Sequence, residues 1–286
     1  MTPKTLLALA AVTLMGTAEL ARAQTVPLRP DLQTRIASFD EPLALGRADS
    51  PRAHPVWTAE GLWSARPAGL HGLSKLAEAA AANDPVWDPS SKAWFAFAYG
   101  ALVRVEPDGR LPVVLASLPG HDFDVRAAYG LVVCRDVAQN RIVLLKTGSE
   151  GPGKVLLEGA DFYNPRLSPD GSQVLVSQLK SGGGHLWLVS TATGKARDLG
   201  QGYEPAWSPD GKRALFLRTE DDGERLTSST LFQLEPSTGA IRLLAAPRSH
   251  IVTRPAFSPD GAWVAFVEAE SQQLMVARLP EAGGAR

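Results

Sequence analysis

Side chains that could bind a ligand or take part in a reaction recur at intervals of 30 to 50 residues along this sequence. Each lies just before a proline, or before the residue that replaces the proline in one repeat. They are His54, Asp84, Phe123, Tyr163, Asn164, Tyr203, Glu204 and Arg254. Mixed polar and aromatic side chains around a concavity recognise peptides, protein termini or small polar ligands. Asp84, Glu204 and His54 could instead hold a metal for hydrolysis or lyase chemistry. A solvated rim without a ligand is the third interpretation, because exposed loops are polar anyway.

The sequence does not complete any of the phosphate-binding, nucleophile or metal-binding motifs that we compared with it. The segment GSEGPGKV (148–155) matches the phosphate-binding G-x-x-x-x-G-K, but Val155 replaces the Ser or Thr that holds magnesium, and a strand-like VLLEG follows where a helix is needed. The sequence has no G-x-S-x-G nucleophile motif in a strand-to-helix setting. Metal-binding spacing is missing among the five histidines: His54, His71, His121, His185 and His250. We therefore predict no catalytic residue, no metal and no cofactor.

Composition limits the classes of partner. The formal net charge is −1, which does not favour nucleic acid or an anionic membrane as a partner. Cys134 is the only cysteine, so the chain has no internal disulfide. Its setting, GLVVCRD, predicts a strand interior in which the thiol acts as a small apolar group and not as a nucleophile.

The N-terminus has the pattern of a secretory signal peptide. Lys4 precedes an apolar stretch from Leu6 to Met15, and Ala21-Arg22-Ala23 matches a cleavage site. The apolar stretch is shorter than the roughly 20 residues that span a bilayer. We predict a signal peptide over 1–23, Gln24 as the first mature residue, and a periplasmic or secreted protein without membrane insertion after cleavage.

One turn is repeated along the chain. It occurs in NPRLSPDGSQVLVS (164–177), EPAWSPDGKRALFL (204–217) and RPAFSPDGAWVAFV (254–267). Proline presets the turn, aspartate bonds nearby amides and glycine accepts a positive φ, so Ser-Pro-Asp-Gly specifies a tight hairpin. Weaker copies bring the total to six units, which start at Pro55, Pro85, Asp124, Pro165, Pro205 and Pro255. A unit copied in this way is a building block that stacks on its neighbours.

Each unit predicts up to four short antiparallel strands. After the hairpin come third strands such as RIVLLKTG and TLFQLEPSTG, and fourth strands such as KVLLEG and AIRLLAA. Four strands in about 40 residues are typical of a propeller blade. We therefore predict an all-β, six-bladed β-propeller of four-stranded antiparallel blades over 51–286. The N-terminal segment, 24–50, is predicted to close the ring by pairing of its apolar stretch, Thr34 to Leu45, with the last strand; a disordered leader is the alternative.

The Ser-Pro-Asp-Gly units resemble the WD-like repeats of TolB-like propeller proteins. The resemblance is strongest from Asn164 to Val267 and extends more weakly back to Pro55. It implies a propeller and a non-catalytic binding role in the cell envelope. TolB also carries an α/β domain before its propeller, and we expect this chain to lack it, because only about 30 mature residues precede Pro55, too few for a domain.

We expect an exported, monomeric binding or scaffold protein that recognises an envelope protein or peptide. The alternative is a periplasmic propeller enzyme of the metal-dependent lactonase, hydrolase or lyase type with its site in the central channel.

Overall fold

The computed structural model describes residues 25–26, 43–47, 55–58, 61–64, 86–88, 91, 93–98, 100–105, 113–120, 122–148, 151, 153–247 and 250–279. Regular structure in these ranges consists of strands and one short 3-10 helix, Ala127–Tyr129. Within the same ranges, no helix has the length and apolar character needed to cross a membrane. The predicted signal peptide lies outside them.

Five sheets have four antiparallel strands each and form blades 1 to 5. Before residue 65 the chain forms β1 (Thr25–Val26), β2 (Leu43–Arg47), β3 (Pro55–Thr58) and β4 (Gly61–Ser64). Blade 1 contains β5 (Val86–Asp88), β6 (Ala93–Ala98), β7 (Ala101–Val105) and β8 (Val113–Ser117). Blade 2 contains β9 (Phe123–Arg126), β10 (Leu131–Asp136), β11 (Arg141–Lys146) and β12 (Lys154–Glu158).

The other three blades follow the same plan. Blade 3 contains β13 (Phe162–Leu167), β14 (Gln173–Lys180), β15 (Gly183–Ser190) and β16 (Ala196–Gln201). Blade 4 contains β17 (Tyr203–Trp207), β18 (Ala214–Asp221), β19 (Leu226–Glu235) and β20 (Ala240–Ala245). Blade 5 contains β21 (Val252–Phe257), β22 (Trp263–Glu268), β23 (Gln273–Arg278) and, as its fourth strand, β2. The predicted third and fourth strands of the middle units are confirmed.

The prediction of six four-stranded blades is wrong, because five are found among the described residues. The unit that starts at Pro55 supplies only β3 and β4, which form a three-stranded sheet with β1. This unit is only 30 residues long, against 39 to 50 for the four units that follow it. Its second half, KLAEAAAAN, contains strong helix formers in place of β-branched residues. The repeat turn identified a hairpin there, but a hairpin alone does not make a blade.

The N-terminal segment pairs with the end of the chain. Strand β2 runs antiparallel to β23, with Leu43 opposite Val276 and Ala44 opposite Met275. The pairing is irregular between Ala44 and Gly46. Main-chain hydrogen bonds from residues near the start of the chain thus cover the outer edge of the last sheet, which would otherwise be open.

The repeated turn is held by its own side chains. In the turn between β17 and β18, Ser208 Oγ donates to Asp210 Oδ1 at 2.6 Å and accepts from the Arg213 amide at 2.9 Å. Asp210 also accepts from the Lys212 amide at 3.0 Å. Gly211 adopts φ +69°, which a glycine reaches without steric cost. The predicted roles of aspartate and glycine in this hairpin are confirmed, and the structure adds the role of the serine hydroxyl.

The hydrophobic cores lie between neighbouring blades. Along β14, Val174 and Val176 pack towards blade 2, while Leu175 between them packs towards blade 4. Both faces of a middle blade are therefore apolar, as the fully apolar second strands predict. Complete burial of a side chain as large as Phe216 stabilises the fold by about 2 kcal/mol.

The first strands of successive sheets lie side by side. Contacts join β5 to β9, β9 to β13, β13 to β17, β17 to β21 and β21 to β3. Each first strand is also an edge of its own sheet, with the other strands extending outward from it. This arrangement brings residues at equivalent positions of the first strands together near a common axis, as in a propeller.

Candidate functional site

Three first strands begin with the same irregular backbone. The residue before each proline, Asn164, Glu204 or Arg254, has φ of +53°, +51° or +52°. The strand register shifts at these positions in β13, β17 and β21. Proline cannot donate to the sheet ladder, which explains a local break, but a left-handed residue before proline is strained. Strained backbone of this kind is often found at functional sites.

Two of the three strained residues are tied to carboxylates of the preceding blade. The Asn164 amide donates to Asp122 Oδ2 at 2.6 Å, and the Arg254 amide donates to Glu204 Oε2. Each bond joins two successive blades at the ends of their first strands. The bonds satisfy amides that the register shift removes from the sheet ladder. They therefore fix the positions of these residues relative to one another.

Two tyrosines directly precede two of the strained residues in the sequence, Tyr163 before Asn164 and Tyr203 before Glu204. The side chains of Tyr163 and Tyr203 meet over Gly184, where an added Cβ would lie 3.1 Å from Tyr203 Cδ1 and 3.4 Å from Tyr163 Oη. Tyr163 stands opposite Ser177 in the β13–β14 pair, and Ser177 is fully buried. Glycine at position 184 therefore leaves room for the Tyr203 side chain and for the Tyr163 hydroxyl group.

Electrostatics couples the tyrosines to Glu204. Burial raises the pKa of the Glu204 carboxyl, although the Arg254 amide and the charges of Arg254 and Arg166 act in the opposite direction. Burial, and after it the charge of Glu204, raise the pKa of both Tyr163 and Tyr203. Glu204 nevertheless keeps part of its surface accessible to solvent.

We call the end of the blades at which the first strands begin, next to the prolines, the proline end. The residues gathered there form the proline-end cluster: Asp122, Tyr163, Asn164, Arg166, Tyr203, Glu204 and Arg254. Five of these residues were predicted from the sequence. The structure adds Asp122, through its bond to Asn164, and Arg166, through its charge near Glu204.

Phe123 does not join the cluster. Its side chain is 3% exposed and packs in the hydrophobic core between blades 1 and 2. Unit three has Asp124 where others have proline, and its first strand shows no register shift, so the polar residue at the strand start is Asp122. Two further predicted residues, His54 and Asp84, lie outside the described residues.

Other predicted features have structural counterparts. Cys134 is fully buried in β10, and burial, followed by the charges of Asp136 and Asp122, raises the pKa of its thiol to about 12.

The GSEGPGKV segment joins β11 to β12 within an antiparallel pair, as predicted for a hairpin. His185 lies on a strand, 3.2 Å from Asp198. Among the described residues, no group of three or more His, Cys, Asp or Glu side chains is placed to hold a metal ion.

The two ends of blades 2 to 5 differ in charge. The turn end holds the Ser-Pro-Asp-Gly turns and the loops between third and fourth strands; the proline end is opposite. Described acidic residues at the proline end are Asp122, Asp136, Glu158, Asp161, Glu204, Glu220, Asp221, Asp222, Glu224, Glu268 and Glu270, with Arg135, Arg141, Arg166, Lys180, Arg218, Arg225 and Arg254 as bases. Described basic residues at the turn end are Arg126, Lys146, Lys154, Lys195, Arg197, Lys212, Arg213, Arg242 and Arg278, with Asp170, Asp210, Glu235 and Asp260 as acids.

Sequence comparison finds similarity to TolB homologues. The chain is 34% identical over 164 residues to a protein TolB homolog of Chlorobium chlorochromatii, and 31% identical over 108 residues to that of Chlorobium luteolum. The matches cover 52% and 37% of this chain, and 36% and 23% of the relatives, so the chain matches well under half of either protein. No protein-family model matches.

Solved structures show the same fold. TolB from Acinetobacter baumannii superposes with a TM-score of 0.53 at 14% identity, covering 84% of this chain and 63% of that one. An oligogalacturonate lyase in complex with manganese gives 0.50 at 15% identity, covering 70% and 65%. The chain is thus similar to TolB homologues in sequence and in its β-propeller architecture, and identities this low in the structural comparisons establish the fold alone.

Proposed function

We propose that this protein is an exported binding protein that captures a peptide or a partner protein of the cell envelope at the proline end of its propeller. The observation that carries the proposal is that Tyr163 and Tyr203 both lie beside Gly184 at the starts of adjacent first strands, with Glu204 close enough for its charge to act on both tyrosines. The sequence similarity to TolB homologues supports a binding or scaffold role. The predicted signal peptide supports a periplasmic or secreted location.

The chemistry of the cluster suits a peptide. The two phenol rings offer apolar faces together with hydroxyl groups, a combination enriched where proteins bind one another. Glu204 and Asp122 offer carboxylates, while Arg166 and Arg254 offer cations, so amide, amine and carboxylate groups of a peptide all find partners. The backbone bonds between blades hold these groups in place before a ligand arrives, which lowers the entropic cost of binding.

Capture from envelope extract tests this function. Immobilised protein carrying Tyr203→Ala and Glu204→Gln should lose a partner that wild-type protein retains. Thr193→Ala, in an exposed loop at the turn end, is the matched control and should retain it. Circular dichroism and thermal melting establish that each variant folds. Undiminished capture by the folded double variant would exclude the proline-end cluster as the binding site.

One observation favours a second candidate function, an enzyme with its site in the channel. Burial raises the pKa of Glu204, and a carboxyl group with a raised pKa suits general acid–base catalysis. In the predicted lactonase, hydrolase or lyase, His54, Asp84 and Glu204 would hold a metal. Metal analysis of purified protein separates the candidates, because a stoichiometric metal lost in Glu204→Gln would favour the enzyme.

A further inference from the structure

A surface pocket lies at the turn end of blade 4, away from the proline-end cluster. Its volume is about 260 Å³, and it is lined by Lys212, Arg213, Gln233, Glu235, Ala240 and Arg242. Strand β17 starts with Tyr203 and Glu204, whereas Lys212 and Arg213 follow the turn at its other end. At about 3.3 Å per residue, the length of this strand puts the pocket on the order of 15 Å from Glu204.

The pocket is positively charged. Three of its lining side chains are cations, and one is a carboxylate. Lys212, Arg213 and Arg242 form no ion pair with any carboxylate of the described residues. Asp210, on the same turn, does not line the pocket; it is held by Ser208 Oγ and the Lys212 amide, and its charge acts on Arg213 and Lys212. The lining side chains themselves carry an excess of two positive charges at neutral pH.

Neighbouring groups orient the two arginines. Arg213 lies over the Phe257 ring at 5.6 Å and donates to the Gly261 carbonyl at 3.4 Å, so blade 5 supports it. Arg242 Nη2 donates to Gln233 Oε1 at 3.1 Å, and Gln233 is only 8% exposed. This bond occupies the Gln233 oxygen, so the Gln233 amide NH₂ remains as a donor next to the arginine. Each arginine keeps further N–H groups for a ligand.

We propose that this pocket binds a phosphate monoester group carried by a small polyol or sugar. Such a group carries close to two negative charges at neutral pH, which matches the excess charge of the lining. Planar guanidinium groups bind phosphate oxygens through paired hydrogen bonds. Glu235, the one carboxylate of the lining, is placed to accept from a hydroxyl group of the ligand. The volume lies just below the usual range for drug-sized ligands, so the ligand is small.

Isothermal titration calorimetry with three soluble probes tests the proposal. Glycerol 3-phosphate and glucose 6-phosphate should bind saturably, while glucose should not bind. Arg242→Gln and Lys212→Gln alter exposed side chains of the pocket, and each should weaken binding at least about tenfold, because each removes a charge-assisted contact. Lys195→Gln, an exposed lysine at the same end on blade 3, is the matched control and should bind as wild type does.

Vesicles that contain phosphatidic acid distinguish a lipid headgroup from a soluble ester. Binding to either source that is lost in Arg242→Gln and retained in Lys195→Gln supports the pocket. Equal weakening in Lys195→Gln would show that a diffuse positive field attracts phosphate, and would overturn the proposal. So would the absence of saturable binding to both sources, or binding that the pocket variants leave unchanged.

Discussion

The two ends of the first strands differ in how their backbone is satisfied. At the turn end, the amides inside each hairpin are satisfied by the serine and aspartate of the same hairpin, as Ser208 and Asp210 illustrate, although arginines of a neighbouring blade also donate to turn carbonyls, as Arg213 does to Gly261. At the proline end, residues without the freedom of glycine take positive φ, and the amides of Asn164 and Arg254 depend on carboxylates of another blade. The amides of the turn are thus satisfied within one hairpin, whereas the amides of these two strained residues require another blade.

The turn residues serve the fold, whereas the side chains of the strained residues at the proline end are available for binding. The turn uses the same residue types in blades 3, 4 and 5, because one hairpin geometry is needed each time. The strained position uses an amide, a carboxylate and a guanidinium in one shared backbone geometry. The backbone thus holds chemically different side chains at equivalent places around the axis. Variation within a fixed geometry is what a recognition surface requires.

The largest effect is expected at the turn end. Ser208→Ala removes a fully buried hydroxyl that bonds Asp210 and the Arg213 amide, and should lower the free energy of unfolding by about 2 kcal/mol. Ser172→Ala also removes a hydroxyl bonded to a turn aspartate, Asp170, but an exposed one, and should cost well under about 1 kcal/mol. Urea unfolding measures both. Equal losses would show that the turn does not depend on its buried serine.

Much of the fold could be predicted because the turn is local. Ser-Pro-Asp-Gly specifies its hairpin within four residues, so the positions of β13 to β23 followed from the repeat. The number of blades could not be obtained in the same way. Completion of a blade depends on four strands, and the unit that starts at Pro55 repeats only the hairpin. Pairing of β2 with β23 joins distant parts of the chain, and an unassigned apolar segment was its only signal.

The candidate site was less predictable because it depends on register. Proline marks the shifted backbone in blades 3, 4 and 5, so Asn164, Glu204 and Arg254 could be aligned. Blade 2 lacks the proline and the shift, which misplaced the equivalent position by one residue, at Phe123 instead of Asp122. Arg166 follows its proline, and no sequence pattern indicates that its charge lies near Glu204.

A smaller effect on the free energy of unfolding is expected when a glycine with positive φ is replaced at the turn end. Gly211→Ala puts a side chain on a residue at φ +69°, and should lower the free energy of unfolding by about 1 kcal/mol. The nearest atom to the new Cβ is Pro169 Cδ at 3.4 Å, an ordinary contact, so strain and not a clash is the cause.

Arg254→Gly is the complementary change at the proline end. It relieves a strained backbone at φ +52°, while the greater freedom of glycine in the unfolded chain offsets that gain, so the free energy of unfolding should change by less than about 1 kcal/mol. Thermal melting of both variants provides the measurement. A loss in Arg254→Gly as large as that in Gly211→Ala would show that the arginine side chain stabilises the fold, and the contrast between the ends would fail.

The smallest effect is an opposite response of the two ends to pH. Burial raises the pKa of Glu204 above its ordinary 4.5, so the folded protein binds this proton more tightly than the unfolded chain, and stability falls as pH rises from about 4.5 through the raised pKa. The hydrogen bond from Ser208 lowers the pKa of Asp210 below 3.8, so its contribution is present above 3.8 and is lost as pH falls through the lowered pKa.

Glu204→Gln keeps an oxygen for the Arg254 amide and removes the charge, so its stability relative to wild type should rise with pH above about 4.5. Asp210→Asn should instead lose stability relative to wild type as pH rises through the lowered pKa of Asp210 to about 3.8, and the deficit should stay constant above that pH. Urea unfolding of the three proteins between pH 2 and pH 8 measures both trends. Parallel trends would contradict the contrast, whereas opposite trends would show that the Glu204 charge opposes folding and the Asp210 charge supports it.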